Sequence, residues 1–143
     1  MTKTKPTRPY HLDDQIGYLL RLASQRHATI FQALTVEGLT PTQFSALIRI
    51  CEQGKCSQNR LGRLAAMDVA TIKGVADRLR QKGLVTAEPD PNDKRRTLIS
   101  LSPAGVDLVA RMGQIGHEIT SETLRPLSAA EQRTLTKLLR KLA

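Results

Sequence analysis

The sequence predicts a mainly α chain with one small β-hairpin, an α+β fold. Three observations predict it. Apolar residues recur at three- and four-residue spacing along most of the 143 residues. That period gives way to alternation only around residues 84–101. Ser and Thr caps followed by proline, and glycine stops, punctuate the helical stretches.

Residues 1–10 open with MTKTKPTRP. Two prolines, three cations and no apolar period read as a flexible basic arm, available to DNA or to a partner subunit. From residue 11 to about 36, Ile16, Leu19, Leu20, Ala23, His27, Ile30, Phe31 and Leu34 form a wide apolar stripe. Asp13 and Asp14 belong to the expected first turn, where the helix dipole favours acids. Gly38 is the stop. One small domain would struggle to cover so long a stripe, which points to a partner chain.

Thr40 and Pro41 cap and open a second helix, with Phe44, Leu47, Ile48 and Cys51 expected inward and Gly54 at its end. Ser57 caps a short third helix, with Leu61, Leu64 and Ala65 inward. Met67-Asp68-Val69 makes a break. A fourth helix runs from about Ala70 to Lys82 on a buried stripe of Ile72, Val75, Ala76 and Leu79, and Gly83 stops it. Residues 84–88 and 97–101 read as two strands joined through Pro89-Asp90-Pro91-Asn92-Asp93, with Asn92 to Arg96 as a basic tip. Ser102 and Pro103 start a fifth helix carrying Val106, Leu108, Val109, Met112, Ile115, Ile119 and Leu124, which Pro126 ends. Ser128 and Glu131 form a capping box for a last helix with Leu135, Leu138, Leu139 and Leu142.

Composition narrows the function classes. Lys and Arg number 22 against 13 Asp and Glu, a net charge of +9, which favours a polyanionic partner. No apolar run approaches a membrane span and the first residues do not read as a secretory signal, so a membrane partner is not expected. Two cysteines make a disulfide scaffold implausible and fit a reducing, cytoplasmic compartment. Cys51 is expected as a core thiol and Cys56 as a partly exposed loop residue. His11, His27 and His117 match no metal-ligand spacing. No Gly-rich phosphate loop or nucleophile–base–acid set is present, so neither an enzyme nor a cofactor is expected.

Helix, short helix, helix and a hairpin with a basic tip make a winged helix-turn-helix over 39–101. Residues 11–36 and 103–143 are left for dimerisation. The fourth helix is the expected reader of a double-stranded DNA major groove, and the hairpin tip reaches the adjacent minor groove. With the apolar stripe inward, Val69, Ala70, Thr71, Lys73, Gly74, Asp77, Arg78 and Gln81 face outward. Of these, Ala70, Thr71, Lys73 and Arg78 are the candidate contacts. Ser57, Gln58 and Asn59 suit a phosphate. Lys94, Arg95 and Arg96 are the candidate wing contacts, and Arg60 and Arg63 add general attraction. The alternative is a sequence-tolerant architectural DNA binder, which shares the charge but needs no reader presented with a wing.

In this region the chain resembles the MarR family of regulators. The residues that carry the resemblance are Asp90-Pro91-Asn92-Asp93-Lys94-Arg95-Arg96, then Leu101-Ser102-Pro103-Ala104-Gly105, with Leu39-Thr40-Pro41-Thr42-Gln43-Phe44 and Arg78 to Val85 upstream. The family pattern is D-x-x-D-x-R followed by L-T-x-x-G, and Ser102 replaces the usual Thr. The resemblance implies that Asp93 pairs with Arg95, that Arg95 enters the minor groove, and that the first, fifth and sixth helices form a homodimer reading an inverted repeat. It also implies release by a small ligand, often an aromatic acid. The stretch from Tyr10 to Arg21, with Gln25-Arg26-His27 and Ile30-Phe31, looks like regulators of aromatic-acid breakdown. On that reading Arg21, Arg26 and His27 are candidates for a carboxylate, and Tyr10, His11 and Tyr18 for a ring. The effector class is then a small aromatic acid or its coenzyme A thioester, and repression is the expected effect.

Overall fold

A computed structural model describes residues 8–143. Most of the expected basic arm, residues 1–7, lies outside the described residues. The elements are a 3₁₀ turn Leu12–Asp14, α1 Ile16–Leu34, α2 Pro41–Gln53, β1 Lys55–Ser57, α3 Gln58–Leu64, α4 Val69–Gln81, β2 Val85–Asp90, β3 Asp93–Leu101, α5 Pro103–Leu124 and α6 Ala129–Leu142. The architecture is the expected α+β winged helix, with one strand more than predicted.

Helix starts follow local chemistry. The Thr40 hydroxyl accepts from the Gln43 N–H at 3.3 Å while the Gln43 side chain accepts from the Thr40 N–H at 3.2 Å. Ser128 and Glu131 repeat this reciprocal box at α6, while Ser57 and Ser102 cap α3 and α5 by accepting the N–H of Arg60 and of Gly105. The first helix departs from expectation. His11 to Gln15 form a separate 3₁₀ turn, and α1 begins at Ile16 with Gln15 in extended backbone. Asp13 and Asp14 therefore precede α1 rather than occupy its first turn.

Three strands make an antiparallel sheet in the order β1-β3-β2. β1 is too short to announce itself by alternation. It forms because Lys55, Cys56 and Ser57 pair with Ser100, Ile99 and Leu98. This pairing overturns the expectation for Cys56, and the orientation of α2 overturns that for Cys51. Cys56 faces the core at 4% exposure, while Cys51 is exposed on α2. The buried face of α2 is Gln43, Ala46, Leu47 and Ile50, rotated from the predicted one, because α2 is wedged between α4, α5 and β3. Phe44 and Ile48 are half-buried at its margin.

The core joins α2, α3, α4, the sheet and the first half of α5. Leu39, Leu47, Ile50, Leu61, Ile72, Leu79, Ile99 and Met112 are its fully enclosed side chains. Truncating one of these to alanine costs about 2–5 kcal/mol. α1 packs along α5, and its Phe31 meets Phe44 of α2 edge-on at 5.5 Å. α6 buries none of its residues. Leu135, Leu138, Leu139 and Leu142 on α6, and Leu12, Ile16, Leu19, Leu20 and Leu22 near the start of the chain, stay exposed.

Candidate nucleic-acid interface

The site begins with a close helix pair. Gly62 of α3 is buried, and a Cβ there would lie 3.1 Å from the Ile72 side chain of α4 and from the Met67 carbonyl. Glycine thus lets α3 and α4 approach. Between them Ala66 takes φ +55°, and Asp68 becomes the cap of α4 by accepting the Thr71 N–H at 2.7 Å. That hydrogen bond, with help from the Thr71 hydroxyl, holds the Asp68 carboxyl below the usual carboxylate range.

Ile72, Val75, Ala76 and Leu79 of α4 are buried as the period required. Ala70, Thr71, Lys73 and Arg78 lie on its exposed face. Lys73 stands 3.9 Å from Asp77, too loose to hold its ammonium, which stays 70% exposed at the side chain. Arg78 has no ion pair among the described residues. This face therefore offers a small apolar and hydroxyl start followed by two cations, a set able to meet base edges and phosphates.

The wing is built differently from the expected loop. The chain reverses at Pro91 and Asn92, with the Asn92 N–H bonded to the Asp90 carboxylate at 2.9 Å. Asp93 already pairs with Asp90, while Thr97 pairs with Pro89. Lys94, Arg95 and Arg96 thus form a bulge in β3 instead of a hairpin tip. Bulges re-aim side chains out of the ladder. All three cations are exposed.

Asp93 organises that bulge. Its Oδ1 accepts the Arg95 N–H at 3.1 Å and the Arg95 Nε at 3.2 Å, and its Oδ2 lies 3.7 Å from the Arg96 Nε. The Arg95 side chain, then its N–H, then the Arg96 charge hold the Asp93 carboxyl below its ordinary value. The Arg95 side chain remains 92% exposed. Its guanidinium is tethered at Nε, which leaves its terminal donors for an outside acceptor.

The sheet brings α3 and the wing together. Ser57, Gln58, Asn59, Arg95, Arg96 and Thr97 line one concavity of about 120 Å³. Five of these were predicted contacts from two distant stretches of sequence. The β1–β3 pairing, invisible in the sequence pattern, joins them. Thr97 escaped the sequence reading, since a lone threonine in a strand carries no signal. Ala70, Thr71, Lys73, Arg78, Asp93 and Lys94 lie outside this concavity, on the face of α4 and on the bulge.

The candidate ligand residues form no comparable cluster. Tyr10 and His11 are exposed before α1, Tyr18 is half-buried and Arg21 is exposed. Arg26 is engaged by the end of α5. It donates to the carbonyls of Thr123 and, at 3.0 Å, Glu122, which lack intrahelical partners there. The His27 Nδ1 lies 2.9 Å from the Thr123 hydroxyl, and its ring leans on Phe31. A groove of about 930 Å³ runs between α1 and α5, lined by Ile30, Leu34, His117, Glu118, Ser121 and Arg125 among others. None of the six candidates lines it. Among the described residues, no helix is long and apolar enough to cross a membrane.

Comparison with known proteins accords with this geometry. The MarR family model matches residues 39–97. The transcriptional repressor NicR of Pseudomonas putida is 37% identical over 135 residues, spanning 94% of this chain and 85% of the relative. A probable transcriptional regulator from Pseudomonas aeruginosa superimposes with a TM-score of 0.90 at 52% identity, over 93% of this chain and all of that one. Bordetella bronchiseptica BpsR, whose DNA binding is regulated by 6-hydroxynicotinic acid, gives a TM-score of 0.89 at 40% identity, over 94% of this chain and 97% of its own. Fold, wing and whole-length similarity converge: the chain belongs to the MarR family of DNA-binding transcriptional regulators, which are not enzymes.

Proposed function

We propose that the chain is a ligand-responsive repressor that binds an inverted-repeat operator as a homodimer and leaves it when a small aromatic acid or its thioester binds. One observation carries the DNA-reading part. Two cations of a carboxylate-anchored bulge meet the capped start of α3 in a single concavity, beside a reader helix whose polar face is exposed. In this reading Ala70, Thr71, Lys73 and Arg78 address the major groove. Arg95 enters the minor groove, Asp93 orients it, and Ser57, Gln58, Asn59, Lys94 and Arg96 hold phosphates.

The dimer reading rests on apolar surface. α6 carries four exposed leucines, and five more aliphatic side chains stand exposed between Leu12 and Leu22. Apolar clusters of this kind mark an interaction surface. A two-fold pair would place two readers one helical turn apart on the duplex. The ligand reading rests on BpsR and on the phenol, imidazole and guanidinium groups of Tyr10, His11, Tyr18 and Arg21 near the start of α1. Arg26 and His27, the other two candidates, engage the end of α5 through Glu122 and Thr123.

The test is a gel shift at fixed salt with DNA flanking the chain's own gene. Random duplex serves as competitor, and aromatic acids and their coenzyme A thioesters are added in turn. A repressor of this kind prefers its operator over random DNA by about 4 kcal/mol or more, and one acid class releases it. Equal affinity for both duplexes would instead support an architectural binder.

A further inference from the structure

The strongest unassigned geometry lies where the reader helix, the wing and α5 meet. α4 ends at Gln81, and Gly83 takes φ +73° to turn the chain. The Leu84 N–H closes the turn on the Leu79 carbonyl at 3.0 Å, and β2 begins at the next residue. The carbonyls of Gly83 and Leu84 are therefore the last backbone acceptors between the reader and the wing.

Both are held by the start of α5. The Ser102 hydroxyl donates to the Gly83 carbonyl at 2.6 Å and accepts the Gly105 N–H at 3.0 Å. The Ser102 N–H donates to the Leu84 carbonyl at 3.0 Å. Gly105 makes this possible, since a Cβ on it would stand 2.1 Å from the Leu84 oxygen. Ser102 is buried, and no buried side-chain polar atom among the described residues lacks a partner. Lys82 adds a tether at the same end of α4, from its Nζ to the Glu37 carbonyl at 2.8 Å.

We infer that Ser102, with Gly105 beneath it, is a positioning residue for sequence reading: it fixes α4 and the wing in one orientation relative to α5. The inference rests on α4 and the wing being the reading parts. Base readout in two grooves at once requires that orientation to hold within a fraction of an ångström. Phosphate attraction does not, because it is long-ranged and tolerant of angle. Loosening the joint therefore lowers specificity and spares attachment to any DNA. The hydroxyl must donate and accept together, which threonine does and alanine cannot.

The experiment first selects duplexes from a random library with the wild-type protein. It then measures the affinity ratio of the selected to a scrambled duplex for Ser102→Ala, Ser102→Thr and Ser102→Cys at fixed salt. Circular dichroism checks folding. Ser102→Ala removes both hydroxyl bonds, and a loss of this kind corresponds to about a tenfold or greater fall in the ratio. Scrambled-duplex affinity stays unchanged and Ser102→Thr keeps the wild-type ratio. Ser102→Cys, close in shape but weaker as donor and acceptor, falls between them, and it carries the test if the alanine variant does not fold. An unchanged ratio in folded Ser102→Ala or Ser102→Cys overturns the inference, as does a Ser102→Thr loss equal to the alanine one. A wild type that selects no sequence overturns the reader assignment itself, and is recognised because it appears before any substitution is made.

Discussion

Replacing Gly105 by alanine tests the same joint through stability. The added methyl would sit 2.1 Å from the Leu84 oxygen and 3.1 Å from its carbonyl carbon. A carbon–oxygen contact relaxes near 3.3 Å, so the first turn of α5 must retreat by roughly 1 Å. The obstacle is backbone, which no rotamer change can clear. That retreat stretches the Ser102 bonds to Gly83 and Leu84, now 2.6 and 3.0 Å long. Overpacking costs about 1–3 kcal/mol and each weakened hydrogen bond about 1, against a helix-propensity gain of about 1 for alanine. The net is a destabilisation of about 3 kcal/mol, which lowers Tm by about 10 °C in a chain of this size. Differential scanning calorimetry at matched protomer concentration reads it, because association itself shifts Tm. Gly113→Ala on the same helix is the control. Nothing lies within 4 Å of its Cβ position, so Tm should hold or rise slightly. A Gly105→Ala protein melting within about 2 °C of wild type would refute the close-approach argument.

Other outcomes follow from the same geometry. Arg95→Ala weakens operator binding about tenfold or more in a titration at fixed salt, and an unchanged affinity would remove the wing from the interface. Asp68, Asp93 and Glu131 all titrate below their ordinary values because the folded state hydrogen-bonds their carboxylates. Their folded pKa values are depressed, so their stabilising contribution is present above the ordinary carboxylate range and is lost as pH falls through the folded values. A carboxyl-carbon NMR titration should place all three midpoints below the values of a denatured reference, and a midpoint above it for Asp93 would contradict the tethered bulge. Leu138→Glu puts a charge among the exposed leucines of α6, and sedimentation equilibrium should shift toward monomer. A thiol reagent should modify Cys51 in the native protein and Cys56 only after unfolding, because Cys56 is buried and burial pushes its thiol pKa up. Two rapidly reacting thiols would contradict the β1–β3 pairing.

Sequence alone determined most of the helix starts, which are settled within one turn of chain, although the 3₁₀ turn before α1 gave no such signal. Thr40 with Pro41, Ser102 with Pro103, and Ser128 with Glu131 mark helix starts because a cap hydroxyl accepts the N–H three residues further on and proline suits the first helical position. The buried stripe of α4 was legible for the same reason, since one period sets one face. The Asp93–Arg95 tether was implied by the family resemblance, and the structure shows it. Tertiary structure decided what depends on partners far along the chain. β1 exists only because β3 lies beside it, and that pairing buried Cys56 and brought Ser57 to Arg95. The bulge at Lys94–Arg96 required the β2–β3 register, and the face of α2 required three neighbours at once. Local hydrogen bonds are encoded by residue type and spacing. Register and burial are set by which distant surfaces compete for the same side chain, and no short window of sequence contains that competition.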